Sequence, residues 1–289
     1  MGIMQPRRKD VEHSMGVGAK AEGQADNLLA TQERTTEYGV YALWLKQTYC
    51  GDITYGRQPC DFTAATLVAR PPGRELSLVD GHGEPVSGRL LLFHRDLLSG
   101  TALGRRIGQY GFFGYADHEA LHLSAGELEV VCHVLDGIDG ELRRGVDTYS
   151  ATILATAIEL LLNYCSRYHH RQYIVRHDAG ADPFAQLCQL IDSYMLQGMI
   201  RRYGMPCACH FAAGIGHSED YLTDLVGHAT GKSFATYVQL RRVELAKQMI
   251  VAQGFSDAKV SLTLGYGRVD NFRQTFLRIV GITTEAYRN

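Results

Sequence analysis

Near its C-terminal end the chain carries one supersecondary signal twice, and this repetition limits the fold more than any other feature. The first copy, CHFAAGIGHSEDYLTDLV, runs from Cys209 to Val226, with Ala212, Gly216 four residues on, then Ser218, Leu222 and Leu225. The second, VSLTLGYGRVDNFRQTF, runs from Val260 to Phe276, with Ser261, Gly265 four residues on, then Phe272 and Phe276. In a helix-turn-helix the small residue lets two helices cross closely. The Gly takes a turn conformation that a Cβ would penalise. The later apolar residues bury one face of the second helix and leave its other face for a groove. A single A-x3-G match is common in protein cores. Two in tandem make double-stranded DNA the expected partner.

Ser233–Val251 (SFATYVQLRRVELAKQMIV) reads as the helix joining the two copies. Its apolar residues fall on two faces, Phe234, Tyr237, Leu240 and Val243 on one, Val238, Leu245 and Met249 on the other. Such a rod can pack a helix-turn-helix at each end. Its length of about 28 Å, at ~1.5 Å per residue, approaches the ~34 Å between successive major-groove segments on one side of B-DNA.

The 289 residues leave room for two domains. A hydrophobic share of 45% and a charged share of 21% fit a globular fold. No apolar run reaches the ~18 residues of a membrane span, and no signal-peptide core is visible, so a cytoplasmic protein without a membrane partner is expected. Residues 1–35 are polar and Gly-rich and read as a disordered arm, with Arg7, Arg8 and Lys9 in a solvated tail.

The net charge of −2 is unevenly spread. From Arg201 onward there are eleven Lys and Arg against seven Asp and Glu, whereas the preceding residues hold eighteen against twenty-four. The basic footprint therefore coincides with the paired motifs. It is modest, and so is the phosphate-driven affinity it implies.

Seven Cys without a CxxC give an odd count that argues against a disulfide framework, and reduced thiols are expected. Cys207, Cys209 and His210 resemble half a metal site. A tetrahedral zinc would need one more ligand, for which His217 is the only close candidate, so no metal and no cofactor is expected.

Residues 38–93 read as β. The segments Tyr38–Lys46, Asp52–Arg57, Asp61–Ala69, Glu75–Asp80 and Arg89–Phe93 are punctuated by Gly, Pro and Asp at about ten-residue spacing, as in a small antiparallel barrel or sandwich. Helices follow. Ser124 and Glu127 form a capping box that opens a helix to about Gly145, with Leu128, Val131, Leu135, Ile138 and Leu142 on one face. Asp147 or Thr148 opens the next, which reaches about Tyr173 and is apolar nearly all round in its middle. The Gly, Asp and Pro break at His177–Pro183 reads as a linker, and a short helix from Phe184 to about Met195 begins the DNA unit. The expected fold class is α+β. An arm at 1–35 precedes a sensing and dimerisation domain at 36–176, then a linker at 177–183 and a DNA-binding domain at 184–289.

The chain resembles the AraC/XylS family of transcription regulators. The C-terminal resemblance covers about Pro206–Arg288, through AKQMIVAQGFS, LGY where relatives have L-G-F, and NFRQTFLRIVGITTEAYR. The N-terminal half is similar to the sensing half of one branch, through ITYGRQPCDF, LLLFHRDLLSGTALG, YGFFGYADHEALHLSAGE and ELLLNYCSRYHHRQYI. The sequence departs from the family where Ser261 replaces Ala, Leu277 replaces Lys, Thr284 replaces Pro and His217 fills an ordinarily apolar turn position. Losing the Lys removes a phosphate contact.

On the second reading helix Arg268, Val269, Asp270, Arg273 and Gln274 are expected outward, with Phe272 and Phe276 inward and Asn271 ambiguous. Arg can pair bidentately with guanine and Gln with adenine. On the first helix the outward positions are Glu219, Asp220, Thr223 and Asp224, with Tyr221 near the rim. Asp can accept from cytosine N4 yet repels phosphate, so this helix either reads bases or fixes register. Lys232, Arg241 and Arg242 are candidates for phosphate contacts or for an ordinary solvated face.

The resemblance implies a cupin-like β-barrel that senses a small-molecule effector, helices that form a homodimer, and RNA polymerase as a further partner. Trp44, Tyr55 and Phe62 are candidates for the pocket wall or for plain core. Catalytic cupins hold a metal with an H-x-H pair, a Glu and a later His. Here only His82-Gly83-Glu84 and an isolated His94 are present, so an enzyme is not expected. The alternatives are a metal-dependent cupin enzyme with an appended DNA-binding domain, or a dimeric regulator whose barrel binds nothing.

Overall fold

The computed structural model describes residues 17–20, 39–46, 62, 64–76, 88–144, 147–178 and 182–288. They group into two compact units, Met1–Ala181 and Asp182–Asn289. The class is mixed α and β.

The first unit holds an antiparallel sheet of β1 (Val17–Lys20), β2 (Val40–Lys46), β3 (Ala65–Arg70), β4 (Gly88–His94) and β5 (Leu121–Leu123), in the order β1-β4-β2-β3-β5. β2 is central, and Trp44 lies opposite Val68 on one neighbour and Leu90 on the other. Side chains alternate across a strand. Val40, Ala42 and Trp44 therefore share one face with Val68, Leu90 and Leu92, and all are buried. On the other face Tyr41 stacks on Phe93 with centroids 5.2 Å apart, and β5 packs against the helices.

Three expected strands coincide with β2, β3 and β4. The expected strand at Asp52–Arg57 and most of that at Glu75–Asp80 lie outside the described residues. Within them the sheet is open, with β1 and β5 at its edges. Two strands were not foreseen. β1 falls inside the stretch read as a disordered arm, where Val17 pairs with Leu91. β5, at three residues, is too short to leave an alternation.

A short helix α1 (Ala102–Arg106) precedes β5, and α2 (Ala125–Arg143) and α3 (Ser150–Asp178) follow it. The Ser124 capping box is present: Glu127 N–H donates to Ser124 Oγ at 3.3 Å, and Ser124 N–H to Glu127 Oε2 at 2.9 Å. Asp147 caps α3, accepting from the backbone of Tyr149 and Ser150 at 2.8 and 2.9 Å. Leu154, Ile158, Leu161 and Cys165 bury one side of α3. Arg171 ties α3 to its neighbours by donating to Glu127 on α2 and to the His122 carbonyl on β5, both at 2.7 Å.

The second unit contains α4 (Pro183–Leu196), α5 (Met199–Tyr203), α6 (Cys209–Ile215), α7 (Glu219–Thr230), α8 (Phe234–Val251), α9 (Asp257–Thr263), α10 (Val269–Val280) and α11 (Thr284–Arg288). α4 starts with Pro at its first position and an Asp182 cap, and buries Leu187, Ile191 and Met195 at helical spacing. The spine is α8, which packs against α4, α7, α9, α10 and α11. It buries Val238, Val243, Leu245, Ala246 and Met249 on more than one side, as a rod shared by two motifs requires.

Candidate nucleic-acid interface

Each motif folds into the expected helix-turn-helix. In the first, α6 ends at Gly216, whose φ of 77° is left-handed and whose N–H donates to the Ala212 carbonyl at 2.9 Å. Ser218 then caps α7, accepting from Tyr221 N–H at 3.2 Å. In the second, α9 ends at Leu264, and Tyr266 N–H donates to the Ser261 carbonyl at 2.9 Å. Gly265 has φ 71°, and a Cβ there would meet Ile200 Cγ2 at 2.8 Å, so both conformation and space require Gly. Ser261 is buried at the crossing of the two helices.

α7 and α10 are the candidate reading helices. On α10, Phe272 and Phe276 are fully buried, with ring centroids 5.8 Å apart. Arg268, Asp270, Asn271 and Gln274 are exposed, and Val269 is half-buried. Asn271, ambiguous in the sequence, thus lies outward. Leu277, at the position where relatives carry Lys, is also exposed. On α7, Glu219, Asp220 and Thr223 are exposed and Asp224 is half-buried. Glu219 and Asp220 sit in the first turn, where a carboxylate also favours the helix itself. Tyr221, expected near the rim, is instead buried, with its ring stacked on His217 at 4.4 Å. The unusual His217 serves that stacking.

The basic candidates separate. Lys232 is exposed in the turn before α8. Arg241 is half-buried and forms a two-pronged pair with Asp192 on α4, at 2.7 and 2.6 Å. Arg242, expected as a candidate for phosphate contact, is 6% exposed, which overturns that role. Its Nε donates to the Leu264 carbonyl at 2.8 Å, closing the end of α9, and its guanidinium lies 3.4 Å from the Tyr266 ring centroid. Burial pulls its pKa below the ordinary Arg value, and the charge interaction with Tyr266 offsets only part of that.

Arg273 is half-exposed and already engaged. Its Nε donates to Asp257 Oδ2 at 2.6 Å, and its Nη2 lies 3.4 Å from Glu285. Asp257, buried at the start of α9, also accepts from Thr284 Oγ1 at 2.7 Å and Arg288 Nη2 at 2.6 Å. Burial pushes the Asp257 carboxyl up, but the hydrogen bonds from Arg273, Thr284 and Arg288 outweigh it and hold it below the usual carboxylate range. Sequence reasoning missed this cluster. Thr in place of the family's Pro at 284 was its one visible trace, since a hydroxyl there can serve the carboxylate.

In the first unit, Trp44 is core and Phe62 is half-buried beneath the Arg171 guanidinium, 3.9 Å from its ring centroid. Tyr55 lies outside the described residues, as do His82 and Glu84. A cleft of about 480 Å³ opens elsewhere, lined by Tyr41, Arg95, Asp96, Thr101, Arg105 and neighbouring residues. His94 is used locally, accepting from Asp96 N–H at 3.2 Å.

The expectation of reduced thiols is corrected at one place: Cys207 and Cys209 form a disulfide. Their Cα atoms are 5.3 Å apart, within the span a disulfide bridges. Cys132, Cys165 and Cys188 are free, and burial pushes the Cys165 thiol up to about 12.

Residues 211–289 match the family model of a helix-turn-helix domain. This segment is therefore a helix-turn-helix domain, a class of module that binds DNA. It overlaps the stretch, about Pro206–Arg288, that carries the resemblance to the AraC/XylS regulators. The chain is also similar, at 19% identity, to the C-terminal domain of the two-component response regulator yesN from Fusobacterium nucleatum, with a TM-score of 0.29 over 36% of this chain and 99% of that one. No curated protein matches the chain. Among the described residues no helix is long and apolar enough to cross a membrane.

Proposed function

We propose that the protein is a sequence-specific transcription regulator that binds double-stranded DNA through both helix-turn-helix motifs. The observation that carries this reading is the shape of α10. It buries Phe272 and Phe276 completely while Arg268, Asp270, Asn271 and Gln274 stay outward, which leaves a polar face for base edges. Arg273 adds a guanidinium at the edge of that face and can turn its Nη atoms to DNA while its Nε stays on Asp257. Lys232 is the phosphate contact, with Arg241 able to join it only by leaving Asp192. α7 presents two acids in its first turn, so it fixes register more than it attracts phosphate.

The first unit is the regulatory half. A small-molecule effector bound there would alter DNA occupancy by favouring one arrangement of the protein. The cleft beside Tyr41 and Arg95 offers a volume suited to such a ligand. The cupin-like barrel of the resemblance would require the described sheet to close through residues 47–61 and 77–87. A homodimer is supported by α3. Ile153, Leu160, Arg167 and Ile174 recur every seven residues, and all are exposed, as are the intervening Thr156, Asn163 and His170. The apolar members of this stripe, Ile153, Leu160 and Ile174, offer a second copy of the helix a surface to cover. Glu at both 153 and 160 would then leave a monomer in light scattering. Transcription is altered through contact with RNA polymerase or through promoter occupancy.

The deciding experiment is selection of bound sequences from a random DNA pool with the full chain at two salt concentrations. Two recognised blocks about one helical turn apart support reading by both motifs. One block assigns specificity to α10 alone. No enrichment at low salt, with or without the metabolite panel, overturns the reading. Thermal shifts with a metabolite panel test the effector half, and stoichiometric iron, manganese or nickel in purified protein would favour a cupin enzyme instead.

A further inference from the structure

Where the chain enters α6, the segment Cys207-Ala208-Cys209-His210 gathers three soft ligand atoms that the DNA-facing surface does not use. The two sulfurs and one ring nitrogen of His210 all lie within 4.8 Å of one another. His210 Nδ1 is 2.8 Å from Cys207 Sγ and 3.6 Å from Cys209 Sγ. The Cys207 backbone N–H donates to the same Nδ1 at 3.2 Å, so this nitrogen carries its lone pair and the proton sits on the other one. Tyr194 packs edge-on against the His210 ring with centroids 5.7 Å apart, which limits the ring's rotation. Cys209 and His210 are exposed and Cys207 is half-buried, leaving a path for an ion. The cluster contains no carboxylate.

We propose that the reduced form of this segment binds one thiophilic cation through Cys207 Sγ, Cys209 Sγ and His210 Nδ1. Two thiolates and an imidazole favour Zn(II) or Cu(I) over hard cations such as magnesium and calcium. Reduction comes first. Two equivalents of a thiol exchange with the Cys207–Cys209 bond, become a disulfide themselves and leave two protein thiols. The cation then displaces both thiol protons to solvent and takes the Nδ1 lone pair in place of the Cys207 N–H. Three protein ligands complete a trigonal Cu(I) site, or leave one tetrahedral position of Zn(II) to water. Oxidation of the pair and metal loading are mutually exclusive, and both act on the turn that leads into the first helix-turn-helix.

The test uses the full chain, reduced with a phosphine under anaerobic conditions and titrated with Co(II) as a spectroscopic probe, with Zn(II) and with Cu(I). The expected result is one bound ion and a sulfur-to-cobalt charge-transfer band. Cys207→Ser and Cys209→Ser should each abolish the band, and His210→Ala should weaken binding by about tenfold or more. Circular dichroism of the variants should match the parent, because these side chains lie at or near the surface. Tight binding of Zn(II) alone or of Cu(I) alone supports the site and identifies its ion. No binding by the reduced parent overturns it. So does a band that survives both Ser substitutions, because the ion would then sit on other cysteines.

Discussion

Arg273 on α10 and Asp257 at the start of α9 are joined by a 2.6 Å hydrogen bond from Nε to Oδ2. A side chain proposed to read bases from this helix is thus also a strut between the two helices of its motif. Arg273→Ala should lower both the melting temperature and the affinity for the selected DNA. Arg273→Lys should recover part of the stability but little of the sequence preference, because Lys lacks the fork. Thermal melts and binding isotherms on the same preparations would separate the roles. Unchanged affinity and preference in Arg273→Ala would remove the residue from the reading set.

Asp257 is the shared acceptor of Arg273, Thr284 and Arg288. Asp257→Ala should destabilise the second unit by about 2–3 kcal/mol, below the full cost of breaking a buried pair because the two Arg partners can rehydrate. The measurement is denaturant unfolding, and a loss under ~0.5 kcal/mol, the range of an ordinary surface change, would contradict the structure.

The same carboxyl sets a pH dependence. Its folded pKa lies below the ordinary value, so its contribution is fully present above the unfolded pKa of about 3.9 and is lost as pH falls through the folded pKa. Stability of the parent should therefore decline more steeply below about pH 4 than that of Asp257→Asn. Parallel curves in that window would show that the carboxylate is not held as described.

The Tyr266 hydroxyl is buried and has no hydrogen-bond partner among the described residues. Phe occupies this place in the L-G-F form of the motif. Tyr266→Phe removes an unsatisfied donor while keeping the ring under Arg242, and should raise stability by about 1 kcal/mol. A drop of that size would mean the hydroxyl has a partner in solution.

Leu277 is exposed on α10 where relatives carry Lys. Leu277→Lys should tighten DNA binding at low salt and steepen the salt dependence by about one phosphate contact. Arg268→Ala and Gln274→Ala should instead relax preference at single base positions, each worth about 1–3 kcal/mol. Competition assays with single-base variants of the selected site distinguish the two behaviours.

The tandem motifs, the caps at Ser124 and Asp147 and the long helix α8 were legible because their signals are local. A capping box, a Gly four residues after a small side chain and a helical apolar repeat need no knowledge of distant chain. What was not legible depends on partners far away in sequence. Arg241 and Arg242 are adjacent but about 100° apart on the helix, and 242 falls on the face of Val238, Leu245 and Met249, a local sign of its burial. Only the fold shows that Arg241 meets Asp192 and that Arg242 reaches the Leu264 carbonyl. Tyr221 and His217 conceal each other for the same reason. β5 is three residues long, and its burial comes from β3 and the helices rather than from its own pattern. The open or closed state of the sheet depends on segments outside the described residues.

The contacts around Asp257 also bear on how freely the chain can drift. Residues 257, 273, 284 and 288 share one buried carboxylate, so a change at any of them alters what the other three must do. Positions 268, 270, 271 and 274 are not bound by that carboxylate, and the exposed Arg268–Asp270 pair, 3.9 Å apart, is a weak link between two of them. Among homologues the first set should vary together and the second more freely. Retargeting this helix to a new operator by engineering would start with the second set.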